Sequence, residues 1–347
     1  TWSVTAVRGV AQYNTVTLNV SSQYSAALTA EVHIEYYGEA TGLSTGREDF
    51  VGTNNSQYAL FGGGYSSGYH AHSSVDAYDQ NLVHTVPNGL TTSRFALAAT
   101  SVNDFSLFGG GEYRQSSSTV RVADVDAYSS TLTKSTPQNL SAARSNLAAA
   151  TVGGYALFAG GTDENENDKS VDAYNGSLTR TSPIELAFSP GYNSQCYAAS
   201  NENYAVFAYG SLDRVTAYDK NLTRSTPTVL SKQQSYDHAA RAGNYILLAL
   251  VESVDVYDLF LTRTTIEKAE GFGYGGTATT VRDFALFAYS DTTVYDPYLT
   301  RTIATKMNKS FRSGTASASI DDYALIAGGY YSGSSPYYDT VEAYRYV

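Results

Sequence analysis

Four arginines stand at one fixed place in this sequence: Arg47, Arg94, Arg144 and Arg312 each lie eleven residues before an aromatic-led apolar run. A guanidinium presents its N–H donors as a planar fork that suits a carboxylate, a phosphate or a pair of carbonyls. At a repeated position it either bonds carbonyls of an adjoining structural unit or meets a ligand. The matching positions before three further runs hold Asn193, Gln234 and Gly273. A second group is aromatic. Tyr65, Tyr69, Tyr113, Tyr330, Tyr331, Tyr337 and Tyr338 fall with Arg114, His70 and His72 in the stretches "YSSGYHAHSS", "EYRQSSSTVRVAD" and "YYSGSSPYYDT". Tyr supplies rigid amphipathic contact area while Ser and Gly adjust hydrogen bonding, which is the chemistry of an adaptable recognition loop. Variation without a ligand is the competing account, because loops vary freely.

Metal and catalytic patterns are thinner. His70 and His72 form a His-x-His pair without an identifiable third ligand. Asp163, Asn165 and Asn167 have the spacing that opens a calcium loop, but the sixth position lacks glycine and the twelfth holds Tyr174 instead of Glu. Calcium is therefore the one cation the spacing admits, and no other cofactor is expected. The aspartates of the recurring "VDAY" read as turn and strand-end residues rather than as paired carboxylates, since they recur with the scaffold. No Ser/His/Asp order, nucleotide loop or zinc spacing appears, and Cys196 has no assigned His partner. Catalysis is not indicated. The sequons at Asn139, Asn175 and Asn221 come with the repeat.

The elements that must position these residues repeat. "YALFGGG" from Tyr58 returns in variant form at Phe105, Tyr155, Tyr204, Tyr245, Phe284 and Tyr323, a period of about 40 to 50 residues that belongs to propeller blades. A Val-x-x-Tyr unit follows each run, at Val75, Val125, Val171, Val215, Val254 and Val341, with "TTVY" from Thr292 in the sixth copy. Four residues beyond the Tyr stands Leu82, Leu132, Leu178, Leu222, Leu261 or Leu299. Small residues such as "ALAAT" precede each run and suit a crowded axis. The unit reads as an inner small-residue strand a, an aromatic-led strand b, a Val-x-x-Tyr strand c and an outer Leu-Thr strand d.

The expected fold is all-β: a seven-bladed β-propeller of four-stranded antiparallel blades over residues 29–347. The last copy ends at Val347 without a strand d of its own. Residues 32–37 are predicted to supply that strand and close the ring, which removes exposed edges. Residues 1–28 lie outside the repeat, with "TVTLNV" from Thr15 alternating like one strand. The pattern resembles the Kelch-type propeller, whose repeats carry an apolar run ending in Gly-Gly and then a spaced Tyr and Trp. It departs in having Leu at the outer-strand Trp position and in losing the glycine pair in blades four to six ("FAYG", "LALV", "FAYS"). The "VDAY" and "LTRSTP" units are similar to those of bacterial and phage proteins, and the copper-ligand pattern of galactose oxidase, another Kelch propeller, is not visible.

The b-to-c connection is long in blades seven, one, two and three, which are neighbours in a closed ring, and short in the other three. These are also the blades with the arginine, so loops and arginines are expected on one rim. A formal charge of −11 and the absence of any Lys/Arg run argue against nucleic acid. No apolar segment approaches the ~20 residues of a membrane helix. Starting at Thr, the chain reads as a processed or excised piece. These observations lead to a non-catalytic recognition module that binds a carbohydrate or protein through the rim of blades seven, one, two and three. Its expected setting is extracellular, cell-surface or virion-associated, as a bacterial adhesin or a phage receptor-binding or decoration protein. A structural subunit of a larger assembly is the alternative, and a carbohydrate-active enzyme ranks third.

Overall fold

The computed structural model describes residues 15–19, 25–29, 32–165, 168–188, 196–209, 212–233, 238–250, 253–267, 276–289, 291–308, 312–331 and 337–347. Seven four-stranded antiparallel sheets account for most of them. In blade two, strand a is Ala98–Val102, strand b Phe105–Gly109, strand c Val125–Tyr128 and strand d Lys134–Ser135. The a strands of successive blades pack on one another in an unbroken cycle, from blade one round to blade seven and back. Alanine, serine and threonine crowd there because larger side chains would force the blades apart.

Strand c of blade one, Val75–Tyr78, is buried at every position, and so is most of each strand b. The reason is that both faces of a blade are covered by neighbours, so alternation gives way to continuous apolar runs. Seven apolar clusters result, one in each seam between blades; the one between blades one and two holds Leu60, Val75, Leu97, Phe108 and Tyr128. The strand c tyrosines add a polar anchor to this burial. Tyr78, Tyr128, Tyr174, Tyr218, Tyr257 and Tyr344 each donate the hydroxyl to a backbone carbonyl in the connection leading into their own blade, at 2.6 to 2.9 Å. Buried phenols usually find such a partner; the Tyr295 hydroxyl of blade six has none among the described residues.

Ring closure follows the expectation with shifted ends. Ile34–Ala40 pairs antiparallel with Val341–Tyr346, whose other side pairs with Tyr323–Ala327. The strand reaches three residues further than predicted, because a bulge between Tyr36 and Gly38 (φ +132°) resets the register. The recurring leucines are a correction: they sit in the c-to-d turn, and the outer strand begins two residues later. Leu82, Leu132, Leu178, Leu222, Leu261 and Leu299 all adopt positive φ, between 58° and 67°. That conformation is costly for Leu. It is offset by packing of the side chain against a seam cluster, as for Leu82, and by Asp79, whose Oδ1 accepts the N–H groups of Asn81 and Val83. Upstream of the propeller, Thr15–Asn19 pairs with Ser25–Thr29, so the segment holds a hairpin where one strand was expected.

Candidate functional site

The arginines do not reach the rim. Arg47, Arg94 and Arg144 are fully buried and Arg312 nearly so. Each meets the acidic residue of strand c in its own blade: Arg47 with Asp76 at 2.7 Å, Arg94 with Asp126 at 2.9 Å, Arg144 with Asp172 at 2.7 Å and Arg312 with Glu342 at 3.4 Å. A second bond runs to a carbonyl of strand b at Phe61, Phe108 and Phe158, and in blade seven to the carbonyl of Gly328 just beyond that strand. The "VDAY" aspartates are therefore buried ion partners, not turn residues. Burial alone would raise the Asp126 carboxyl, but Arg94, Thr91 and Lys134 together hold it below its ordinary value. Buried in these pairs, the guanidinium groups lie out of reach of a ligand at the rim.

Backbone bonds at the arginine positions tie the glycine pair and the long loop of one blade to the next. The Gly64 N–H of blade one donates to the Arg94 carbonyl of blade two, Gly111 donates to Arg144, and Gly329 donates to Arg47. In return the Arg94 N–H donates to the His72 carbonyl, Arg144 to Val122 and Arg47 to Tyr338, on the returning arms of the long loops. Gly63 (φ +76°) shows why a side chain is excluded, since a Cβ there would stand 2.7 Å from the Arg94 carbonyl oxygen. The rim of this half-ring is thus clamped blade to blade below its loops. Asn193, Gln234 and Gly273 lie outside the described residues.

Above the clamp the loops of blades one and two each form a hairpin. Tyr65–Ser66 pairs with His70–Ala71, and Glu112–Gln115 pairs with Ser118–Arg121. Between them lies an open cleft of about 670 Å³ lined by Ser67, Gly68, Tyr69, His70, Ala71, Thr92, Ser93, Tyr113, Arg114 and Ser116. Four of the candidate residues, Tyr69, His70, Tyr113 and Arg114, share it. Tyr69 is 52% exposed and has φ +58°. Strain of this kind persists only where surroundings enforce it; here Tyr65 stacks on the ring at 5.2 Å and the Arg114 guanidinium lies 5.3 Å above its centroid. Tyr65 in turn touches Phe95 and Tyr337, and Tyr337 touches Tyr330, so an aromatic row joins the loops of blades seven and one. Tyr331 is exposed beside it, and Tyr338 lies under the Arg312 guanidinium.

His70 and His72 stand edge to face at 5.3 Å, and His72 Nε2 shares a 2.9 Å hydrogen bond with Ser66 Oγ. Burial, then Arg47, pushes the His72 imidazole down, which favours the neutral ring. Among the described residues no group of three or more His, Cys, Asp or Glu side chains is placed to hold a metal. Asp163 accepts from the backbone N–H and side-chain amide of Asn165, and Asn167 lies outside the described residues.

Carboxylates at the inner mouth were missed in the sequence. Glu48 and Glu112 bridge to Tyr65 and Phe95, and Asp49 follows in a left-handed conformation. Ser145 Oγ donates to Glu112 at 2.6 Å, and the Tyr65 hydroxyl bonds Glu48. Surrounding protein, Glu48 and Glu112 push the Asp49 carboxyl up to about 7. Their signal was positional: each flanks the buried arginine or the glycine pair. Because the Asp49 carboxyl holds its proton better in the folded state, its contribution to stability is full below the ordinary value of 3.8 and is lost as pH rises towards about 7. Its open side faces solvent, which screens the effect. Asp49→Asn, which matches Asn146 at the same place in blade three, is expected to melt with the parent at pH 4 and above it at pH 8.

No protein-family model matches the chain, and no curated protein matches it. Among solved structures the chain is similar to that of YjhT, with a TM-score of 0.56 over 87% of this chain and 96% of that one, at 12% identity. The likeness is one of fold.

Proposed function

We propose that this protein is a non-catalytic recognition module of the Kelch type, which binds a saccharide on a cell surface through the cleft between the loops of blades one and two. The observation that carries the reading is Tyr69, an exposed aromatic held in a strained conformation over a clamped rim, with Tyr113, His70 and the hydroxyls of Thr92 and Ser93 around it. The exposed part of Tyr69 and the half-buried Tyr113 offer apolar contact to a sugar ring, and convergent polar groups fix its orientation. Rigid support beneath the loops lowers the entropy lost on binding. The volume lies within the ~300 to 1,000 Å³ typical of ligand sites. A bacterial surface or a phage particle suits such a module. Binding of the parent on a glycan array, reduced at least tenfold in a folded Tyr69→Ala variant, is the expected result. Absence of glycan binding by the parent would move the reading to a protein partner in an assembly.

A second reading, a carbohydrate-active enzyme, draws on Asp49, because a carboxyl near neutrality beside Glu48 and Glu112 has the character of a general acid. Release of reducing sugar by the parent and not by Asp49→Asn would favour it.

A further inference from the structure

We infer that the cleft selects saccharides bearing an anionic group, with Arg114 as the residue that reads the charge; this rests on the recognition reading above and narrows it. The chain carries a formal charge of −11, yet the residues lining the cleft include a guanidinium and an imidazole and no carboxylate. Cations elsewhere are mostly committed. Arg47, Arg94, Arg144 and Arg312 are buried in ion pairs, and Arg121, Arg180, Arg241 and Arg282 also have acidic partners.

Arg114 differs from all of these. It is exposed, and its contacts are a hydrogen bond from Nη1 to Thr119 Oγ1 at 2.6 Å and the face of the Tyr69 ring. Those two contacts hold the guanidinium in place without neutralising it. The remaining N–H groups form a fork at the open cleft, the geometry for a bidentate bond to a carboxylate, sulfate or phosphate while the sugar ring lies in the cleft beside Tyr69 and Tyr113. Thr92, Ser93 and Ser116 supply hydroxyls to the same space. On so acidic a molecule a local cation also sets specificity, because it holds an anionic ligand against the repulsion of the molecule's net charge.

The test is titration calorimetry with pairs of saccharides that differ only in one carboxylate, sulfate or phosphate, using the parent, Arg114→Gln, Arg114→Lys and, as a reference, Lys220→Gln. The reference removes one positive charge from the c-to-d turn of blade four, on the opposite face, where Lys220 pairs with Glu202. Expected is at least tenfold preference of the parent for the anionic member of one or more pairs. Arg114→Gln should bring that ratio close to one, Arg114→Lys should restore part of it, and Lys220→Gln should leave it as in the parent. Which anion is preferred identifies the source of the charge. Equal binding of charged and neutral members, or a ratio that survives Arg114→Gln, overturns the inference and leaves the saccharide reading standing. Failure of every saccharide to bind overturns both.

Discussion

Replacing Arg94 by alanine is expected to destabilise the protein by roughly 3 to 5 kcal/mol, the range for breaking a buried ion pair from one side. The change leaves Asp126 fully buried, with only the Thr91 N–H and hydroxyl and the Lys134 ammonium to compensate its charge. It also removes the donor to the Phe108 carbonyl. Urea unfolding at pH 7 measures the loss. The gap should narrow as pH falls below the ordinary Asp value of 3.8, because the variant's carboxyl protonates readily while the parent's is held ionised by Arg94. A double variant, Arg94→Met with Asp126→Leu, should be less destabilised than the sum of its single changes, since it leaves no unpaired charge. A loss below about 1 kcal/mol for Arg94→Ala would contradict the role given to this pair.

Deleting residues 1–40 is expected to abolish the stable monomer. The deletion bares Val341–Tyr346 along its whole length and uncovers the seam that holds Ile34, Phe284, Ile326 and Tyr344. An unpaired apolar edge of this kind recruits another chain. Size-exclusion chromatography should show dimers or aggregates, with lost cooperativity in thermal unfolding. A synthetic peptide spanning residues 32–41 should restore part of the monomer by adding back the strand. A deleted chain that stays monomeric with the parent's Tm would show that the ring does not depend on closure.

The architecture was legible because it rests on periodic signals. Seven aromatic runs and six Val-x-x-Tyr units announce their own strands, and the missing outer strand after Tyr344 pointed to the N-terminal segment. What resisted reading were features that depend on where blades meet. The arginines repeat at one spacing, but their aspartate partners lie about 30 residues onward on strand c, and only the folded blade brings Arg94 to Asp126. The leucines read as outer-strand residues in the sequence because spacing does not reveal a positive φ. In the candidate site, composition singled out Tyr69, His70, Tyr113 and Arg114, and the hairpin pairing of two separate loops is what gathers them. Glu48, Asp49 and Glu112 carry no motif and gather only in the fold, at the inner ends of those loops and outside the lining of the cleft.

Hydrogen exchange of the parent with and without a saturating saccharide ligand tests the central claim most directly. Two hairpins, residues 65–71 and 112–121, should gain protection together, with Tyr69 and Arg114 in the protected peptides, while the turns on the opposite face exchange as before. Protection confined to another face, or to the inner mouth around Glu48 and Asp49 with the two hairpins unchanged, would contradict a recognition site in the cleft between blades one and two.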